Sequence, residues 1–214
     1  MSKSVMMVGA MVVAFSYHAA LAAAPSHKPY TMLWNQNGNF GGSVNSQNYE
    51  PSMVEYDDAA ADDFVVPSGQ IWAIGEVDVT GTYINGSGPA ASVVITIYRE
   101  KHEVPWRGRK GPYTLNCTDN NGSFQCMLPT NAHGRPSVKI VSGHYGISVV
   151  ANCDSTTCGQ WNWMENTTVT GYQAAWENPG GAQNIPQCHG FEPLNTCFAG
   201  SPADLAFDLQ GNIE

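Results

Sequence analysis

Five acidic side chains stand close together in the segment "EYDDAAADD" (55–63) of a chain in which only 13% of the residues are charged. Calcium takes six to eight oxygen ligands, and clustered carboxylates are a common source of them. The candidate ligands here are Asp57, Asp58, Asp62 and Asp63. Their spacing matches no EF-hand loop. The alternative is a solvated start to a strand, where acids discourage pairing at a sheet edge.

A fifth candidate ligand comes from the segment "ADLAFDLQG". There Leu205, Phe207 and Leu209 alternate with other residues, so Asp208 is expected to point away from the apolar face. If the first and last strands of the domain pair, Asp208 could meet the acidic cluster. The sequence therefore offers two interpretations of these acids, a solvated strand start, which we favour, and a calcium site with Asp208 as a member; no other cofactor is predicted.

Tryptophans form the second candidate site. In "GQWNWMEN", Trp161 and Trp163 are two residues apart and share one face of a strand, and Trp176 lies in a neighbouring segment. An exposed row of aromatic rings could hold sugar rings. The polar neighbours that would bind the sugar hydroxyls are Gln160, Asn162 and Glu177. The alternative is burial of Trp161 and Trp163 in the core, which large aromatic residues often fill, and we favour it for at least one of these two.

Catalytic residues are not predicted. The sequence has no Gly-x-Ser-x-Gly elbow and no His-Glu-x-x-His helix. Glycoside hydrolysis needs two carboxyl groups at a set separation, and the sequence alone places no such pair. An exported glycoside or ester hydrolase is therefore the weakest of the functions considered.

The elements that must position these residues are strands. In "IWAIGEVDVTGTY", Ile71, Ala73, Val77 and Val79 alternate with polar residues, the period of a half-buried strand. Further short strands follow, separated by Gly, Pro and Asn clusters in a chain with 22 glycines and 13 prolines. This pattern predicts an all-β, antiparallel β-sandwich or jelly roll with a single domain.

The first residues have the pattern of a cleaved signal peptide: Lys3, an apolar run and small residues ending in Ala-x-Ala. We predict a signal peptide over 1–24, an extended surface segment over 25–54 and the sandwich over 55–214. The protein is expected to be secreted, without a membrane span.

Export makes disulfides the expected state of the six cysteines. The spacing suggests three local bonds, which are Cys117 with Cys126, Cys153 with Cys158, and Cys188 with Cys197. A zinc site is the alternative, but the spacings supply no clean pair of Cys-x-x-Cys motifs.

The segments "AADDFVVPSGQIWAIGEVDVTGTY", "GQWNW" and "ADLAFDLQG" resemble those of secreted bacterial β-sandwich proteins of uncharacterised function. The likeness covers most of the chain after the signal peptide. It implies the sandwich fold and export, and it implies no activity or catalytic residue.

The formal net charge of −9 argues against nucleic acid as the main partner. Basic residues are concentrated in "REKHEVPWRGRK" (99–110), a loop that could bind an anionic surface or an acidic face of a second copy. The sequence predicts a non-catalytic sandwich that binds an extracellular ligand, with a glycan favoured. The alternative is a surface or matrix protein that self-assembles through the basic loop.

Overall fold

A computed structural model describes residues 29–107, 110–200 and 203–214. The predicted signal peptide over 1–24 lies outside these residues. The strands are β1 (Thr31–Asn35), β2 (Phe40–Asn45), β3 (Gln47–Asn48), β4 (Ala59–Val79), β5 (Gly81–Ile84), β6 (Ser92–Lys101), β7 (Val104–Pro105), β8 (Lys110–Leu115), β9 (Thr118–Asn120), β10 (Ser123–Met127), β11 (Val138–Asn152), β12 (Gln160–Asn166), β13 (Ala175–Glu177), β14 (Glu192–Pro193), β15 (Asp204–Leu205) and β16 (Phe207–Ile213). Helical structure in these ranges is limited to two 3₁₀ turns, Pro51–Tyr56 and Pro186–Cys188, and a single α-helical turn, α1 (Leu194–Cys197).

The strands form two sheets. The larger has the order β1-β16-β4-β11-β6-β7, with β3, β8, β9, β10, β13 and β14 attached to its members. The smaller contains β15, β12 and β2 in that order, with β5 also paired to β12. The pairings are antiparallel except for the short parallel contact between β3 and β11. The predicted all-β, antiparallel, single-domain sandwich is confirmed.

The segment before residue 55 is part of the sandwich. Strand β1 pairs with β16 in the larger sheet, and β2 pairs with β12 in the smaller one. The surface segment expected over 25–54 is thus replaced, from residue 31 onward, by strands in both sheets. Its Gly and Asn residues suggested a loop, whereas the pairing partners that make it a strand lie more than a hundred residues away in sequence.

Strand β4 begins at Ala59, twelve residues before the alternation that predicted it. It follows β11 along its length, but Val141 pairs with Ile71 and Gly143 with Val66, so 67–70 bulge out of the ladder. Gly69 has φ +81° at this bulge, a conformation that favours glycine. The acidic segment therefore runs into the strand and does not precede it.

The core between the sheets is aromatic. Trp161 and Trp163 from β12 both have no exposed surface. The ring of Trp161 stacks on Phe124 with centroids 4.9 Å apart, and Trp163 meets Phe207 edge-on at 6.1 Å. Because Phe124 and Phe207 belong to β10 and β16 of the larger sheet, these rings join the two sheets.

Candidate functional site

The predicted tryptophan row is buried. Trp161 and Trp163 are 0% exposed and Trp176 is 1% exposed. Each indole N–H donates to a backbone carbonyl, of Gly122 at 2.7 Å, Ala206 at 2.9 Å and Asn45 at 3.0 Å respectively. Satisfied N–H groups and complete burial are typical of core tryptophans. These rings do not form the exposed surface that sugar stacking requires.

The polar partners predicted for that row do not surround exposed aromatic rings. The Gln160 side chain donates to the Tyr49 hydroxyl at 3.3 Å, and the Asn162 side chain donates to the Ser43 hydroxyl at 3.4 Å. Glu177 is half-buried on β13. Burial raises its pKa to about 7, although a hydrogen bond from the Phe191 backbone acts to lower it. Gln160 and Asn162 alternate with the buried rings along β12 and so lie on its opposite face, where they border no aromatic surface of that row.

The predicted calcium ligands are also separated. Asp62 and Asp63 are adjacent in β4 and therefore point to opposite sides of the sheet. Asp208 pairs in register with Asp78, so the expected meeting with the acidic cluster does not occur. Within the described residues, no group of three or more His, Cys, Asp or Glu side chains is arranged to hold a metal ion. Calcium binding stays a prediction.

A solvated strand start is wrong for three of these acids. Asp58 is 2% exposed, and Asp62 and Asp63 are each 3% exposed. Asp57 and Asp58 accept hydrogen bonds from the backbone N–H groups of Tyr49 and Gln47, at 2.7 and 2.8 Å. These carboxyl groups hold the preceding chain against β4 and are not a free surface.

Asp62 and Asp204 occupy the interior at the edge between the two sheets. Asp62 Oδ2 accepts hydrogen bonds from the Leu205 backbone N–H and from Gln36 Nε2, each at 2.5 Å. Asp204 Oδ2 accepts from the Thr170 N–H at 2.6 Å, while its Oδ1 is buried without a partner among the described residues. Burial raises the pKa of Asp204 to about 7, and burial and the Asp204 charge hold the pKa of Asp62 well above its usual range.

On the outer side of the larger sheet, Asp63 contacts His144 Nε2 and accepts a hydrogen bond from the Tyr172 backbone at 2.9 Å. The His144 ring stacks on Tyr172 with centroids 4.5 Å apart. Nearby, Glu100 Oε2 is buried and has no partner in the described ranges. Burial, with the Asp63 charge adding to it, raises the pKa of Glu100 to about 7. A Cβ at Gly146 would overlap Glu100 Oε1, so this carboxyl group lies directly over the backbone of β11.

We call Asp58, Asp62, Asp63, Glu100, Glu177 and Asp204 the buried acids. Each has a raised pKa with burial as the first cause. Over the residues described, their salt bridges are limited to the contact between Asp63 and His144. Removing a carboxylate from water without a cation disfavours its charged form. Burial therefore favours the protonated form of each group, and Glu100, Glu177 and Asp204, whose pKa values are about 7, bind protons near neutral pH.

Cations occupy an open groove at the end of β6 and β11. Arg99, Lys110 and Lys139 line it together with Ile97, Ile140, Val141 and Tyr145, and its volume is about 420 Å³. Register explains the arrangement, since Arg99 pairs with Tyr145 and Lys110 pairs with Ile97. Lys139 Nζ forms an ion pair with Glu214 Oε2 at 2.6 Å, and in the described part of the chain it is the only Lys or Arg side chain in an ion pair.

Trp106 extends this surface beyond the groove. It is 45% exposed, with Lys101 Nζ 4.5 Å and the Arg107 guanidinium carbon 5.3 Å from its ring centroid. The hairpin from β6 to β7 positions it, because the Trp106 N–H donates to the Arg99 carbonyl at 2.7 Å. We call Arg99, Lys101, Trp106, Arg107, Lys110, Lys139 and Tyr145 the cationic end.

The basic loop was visible in the sequence, but Lys139 and Tyr145 were not associated with it. They lie about thirty residues or more beyond it, on β11, and only the pairing of β6 with β11 brings them to Arg99. The isolated Lys139 in "SVKIV" gave no local signal of a shared site.

All three predicted disulfides are present, joining Cys117 to Cys126, Cys153 to Cys158 and Cys188 to Cys197, and no described cysteine is free. Bonds of this kind are typical of exported proteins. Over residues 29–107, 110–200 and 203–214, no helix is long and apolar enough to cross a membrane.

Comparison with known proteins identifies no family for this chain. No protein-family profile matches the chain, and no match is found among curated protein sequences. Among solved structures, the chain is similar to the crystal structure of the cysteine protease and lectin-like domains of Cwp84, a surface layer associated protein of Clostridium difficile. The identity is 13% and the TM-score 0.47, over 87% of this chain and 36% of that one. The chain thus spans about a third of the length of that protein chain.

Proposed function

We propose that this protein is a secreted, non-catalytic β-sandwich that binds an anionic extracellular glycan at its cationic end. The observation that carries the proposal is the concentration of Arg99, Lys110 and Lys139 in one groove of a chain whose net charge is −9. Cations grouped on an acidic protein create a local positive potential that attracts anions. The three disulfides support export, the setting in which such a glycan would be met.

The shape of the groove favours a short charged segment. A volume of about 420 Å³ falls in the range of small-ligand sites. The exposed Trp106 offers aromatic surface beside the cations, suited to sugar rings that carry carboxylate or sulfate groups. Nucleic acid is disfavoured because a long, densely charged strand would extend past the groove onto an acidic protein.

The direct test is isothermal titration with tetragalacturonate, an oligosaccharide with four carboxylates, against its neutral methyl ester. We expect binding of the acid form alone, weakening as salt rises from 50 to 500 mM because exposed charges are screened. The double variant Arg99→Gln/Lys110→Gln should lower the affinity at least about tenfold, the loss expected for roughly 1.4 kcal/mol. Arg135→Gln is the matched control, since Arg135 lies in a turn outside the groove.

Equal binding of the acid and its methyl ester would contradict the proposal, as would an affinity unchanged in the double variant. A single-stranded DNA oligonucleotide tested in parallel distinguishes nucleic acid from an anionic glycan as the ligand. Tighter binding of DNA than of any anionic saccharide would overturn the glycan assignment. Size-exclusion chromatography of the unliganded protein tests the alternative of self-assembly. A dimer that dissociates in high salt and in the double variant would assign the cationic end to a second copy instead.

A further inference from the structure

A second cleft lies between the end of β12 and α1, and it differs in character from the cationic groove. Its volume is about 460 Å³, and the side chains that could bind a ligand are Glu165, Thr167, Asn195 and Phe198. Among the described residues, no Lys, Arg or His lines it. A site with a carboxylate and no cation repels anions, so its ligand must be neutral or positively charged.

Phe198 forms an aromatic wall that is fixed from behind. The side chain is 37% exposed, while its ring packs edge-on against the buried Trp176 with centroids 4.9 Å apart. Its backbone N–H donates to the Leu194 carbonyl at 2.9 Å, and it directly follows Cys197, which is bonded to Cys188. The exposed ring therefore keeps one position, which lowers the entropy cost of binding a flat ligand against it.

The opposite side of the cleft is polar and equally defined. Glu165 Oε2 accepts one hydrogen bond, from the Gly42 backbone at 3.2 Å, and its other oxygen has no hydrogen-bond partner in the described ranges. A Cβ at Gly42 would lie 2.8 Å from Glu165 Oε2, and one at Gly41 would lie 2.7 Å from the Thr167 methyl carbon. The two glycines of β2 thus allow the side chains to lie flat along the strand. The Asn195 side-chain amide adds donors and an acceptor that have no partner in the part of the chain described.

We propose that this cleft binds one ring of a neutral saccharide. The apolar face of the sugar would lie on Phe198, and its hydroxyl groups would donate to Glu165 and exchange hydrogen bonds with Asn195. An aromatic ring beside a few convergent polar groups is the general pattern of a small-ligand site, and a polyol suits it because each hydroxyl both donates and accepts. The site uses other residues and another ligand class than the cationic end, so it does not depend on the function proposed above.

The experiment is saturation-transfer difference NMR of the full protein with five neutral disaccharides: cellobiose, maltose, lactose, mannobiose and N,N′-diacetylchitobiose. We expect at least one to bind with an affinity unchanged between 50 and 500 mM salt, since no net charge is neutralised. Phe198→Ala should weaken that binding at least about tenfold and Glu165→Gln several-fold, whereas Phe198→Tyr should retain it. Thermal melts establish that each variant is folded.

Trp106→Ala serves as the matched control, because it removes an exposed aromatic ring from the cationic end alone. It should leave disaccharide binding unchanged while weakening tetragalacturonate, and Phe198→Ala should do the reverse. No binding by any of the five sugars would overturn the inference. Binding that survives in a folded Phe198→Ala variant would overturn it as well. Neither result bears on tetragalacturonate, so failure here is distinguishable from failure of the proposed function.

Discussion

The interior of the sandwich and its cationic end use the same residue types in opposite ways. Trp163 and Asp204 have no exposed surface, while Trp106 is 45% exposed among cations. The contrast holds between neighbours on one strand: Glu100 has a buried oxygen without a described partner, and Arg99 lines an open groove. Successive residues of a strand point to opposite faces, so one strand end serves both regions. The residue type therefore does not indicate which tryptophan or charge is available to a ligand.

The two regions also differ in the free energy that their charged groups cost on folding. Exposed cations keep their hydration and cost little, but they contribute little to stability. Buried acids without cations are unfavourable when charged, so the protein must bind protons to keep its interior neutral. This difference predicts that the interior controls stability and its pH dependence, and that the cationic end controls binding and its salt dependence.

The largest expected effect is the difference in stability loss between substitution of the buried Trp163 and of the exposed Trp106. Trp163→Ala should destabilise the protein by about 3–5 kcal/mol, because it opens a cavity between the sheets and removes the indole hydrogen bond to the Ala206 carbonyl. Trp106→Ala should cost less than about 1 kcal/mol, the usual range for an exposed position. Chemical denaturation of both variants measures the difference, and equal losses would remove the distinction between interior and cationic end.

The second effect is the pH dependence of stability. Asp204, Glu100 and Glu177 each have a pKa of about 7 in the folded protein, whereas unfolded carboxyl groups titrate near 4. A raised folded pKa gives stability that is complete below the unfolded pKa and is lost as the pH rises through the folded pKa. We expect the melting temperature to fall by roughly 5–10 °C between pH 4.5 and pH 8. Calorimetry across this range checks the sign, and a melting temperature that rises with pH would contradict it.

A single substitution should remove part of this dependence. Asparagine has the shape of a protonated aspartate, so Asp204→Asn can still accept the Thr170 N–H without burying a charge. We expect a melting temperature roughly 2–4 °C higher than wild type at pH 8, and nearly unchanged at pH 4.5. Asp154→Asn is the matched control, because Asp154 is exposed and should shift neither value. A destabilised Asp204→Asn protein at pH 8 would mean that the carboxylate there is needed in its charged form.

The smallest expected effect is the change in stability on adding calcium, which tests the buried acids directly. A cation bound to the folded state alone must raise the melting temperature. If calcium binds on the side of β4 that carries Asp63, millimolar calcium should raise the midpoint by a few degrees over EDTA, magnesium should not, and Asp63→Asn should lose the rise. An unchanged midpoint would contradict calcium binding, and protons would then be the ligands of these carboxyl groups.

Local features of this protein followed from the sequence. Period-two alternation in 71–79 predicted a strand, and β4 contains it. Short spacings between cysteines predicted three disulfides, and all three exist. Both signals are encoded within a few residues, where chain geometry alone limits the outcome. The basic loop over 99–110 was likewise evident from the local composition.

Tertiary structure decided the rest. The alternation that places Trp161 and Trp163 on one face is the same for a core row and a ligand platform, and only the opposing Phe124 and Phe207 make it a core. The Gly- and Asn-rich segment around Phe40–Asn45 became a strand because β12 supplies its hydrogen bonds. Asp62 and Asp63 became buried, hydrogen-bonded groups because the distant backbone N–H groups of Leu205 and Tyr172 reach them. Partners so far apart in sequence leave no local pattern, so their effect on exposure and charge exists only in the folded chain.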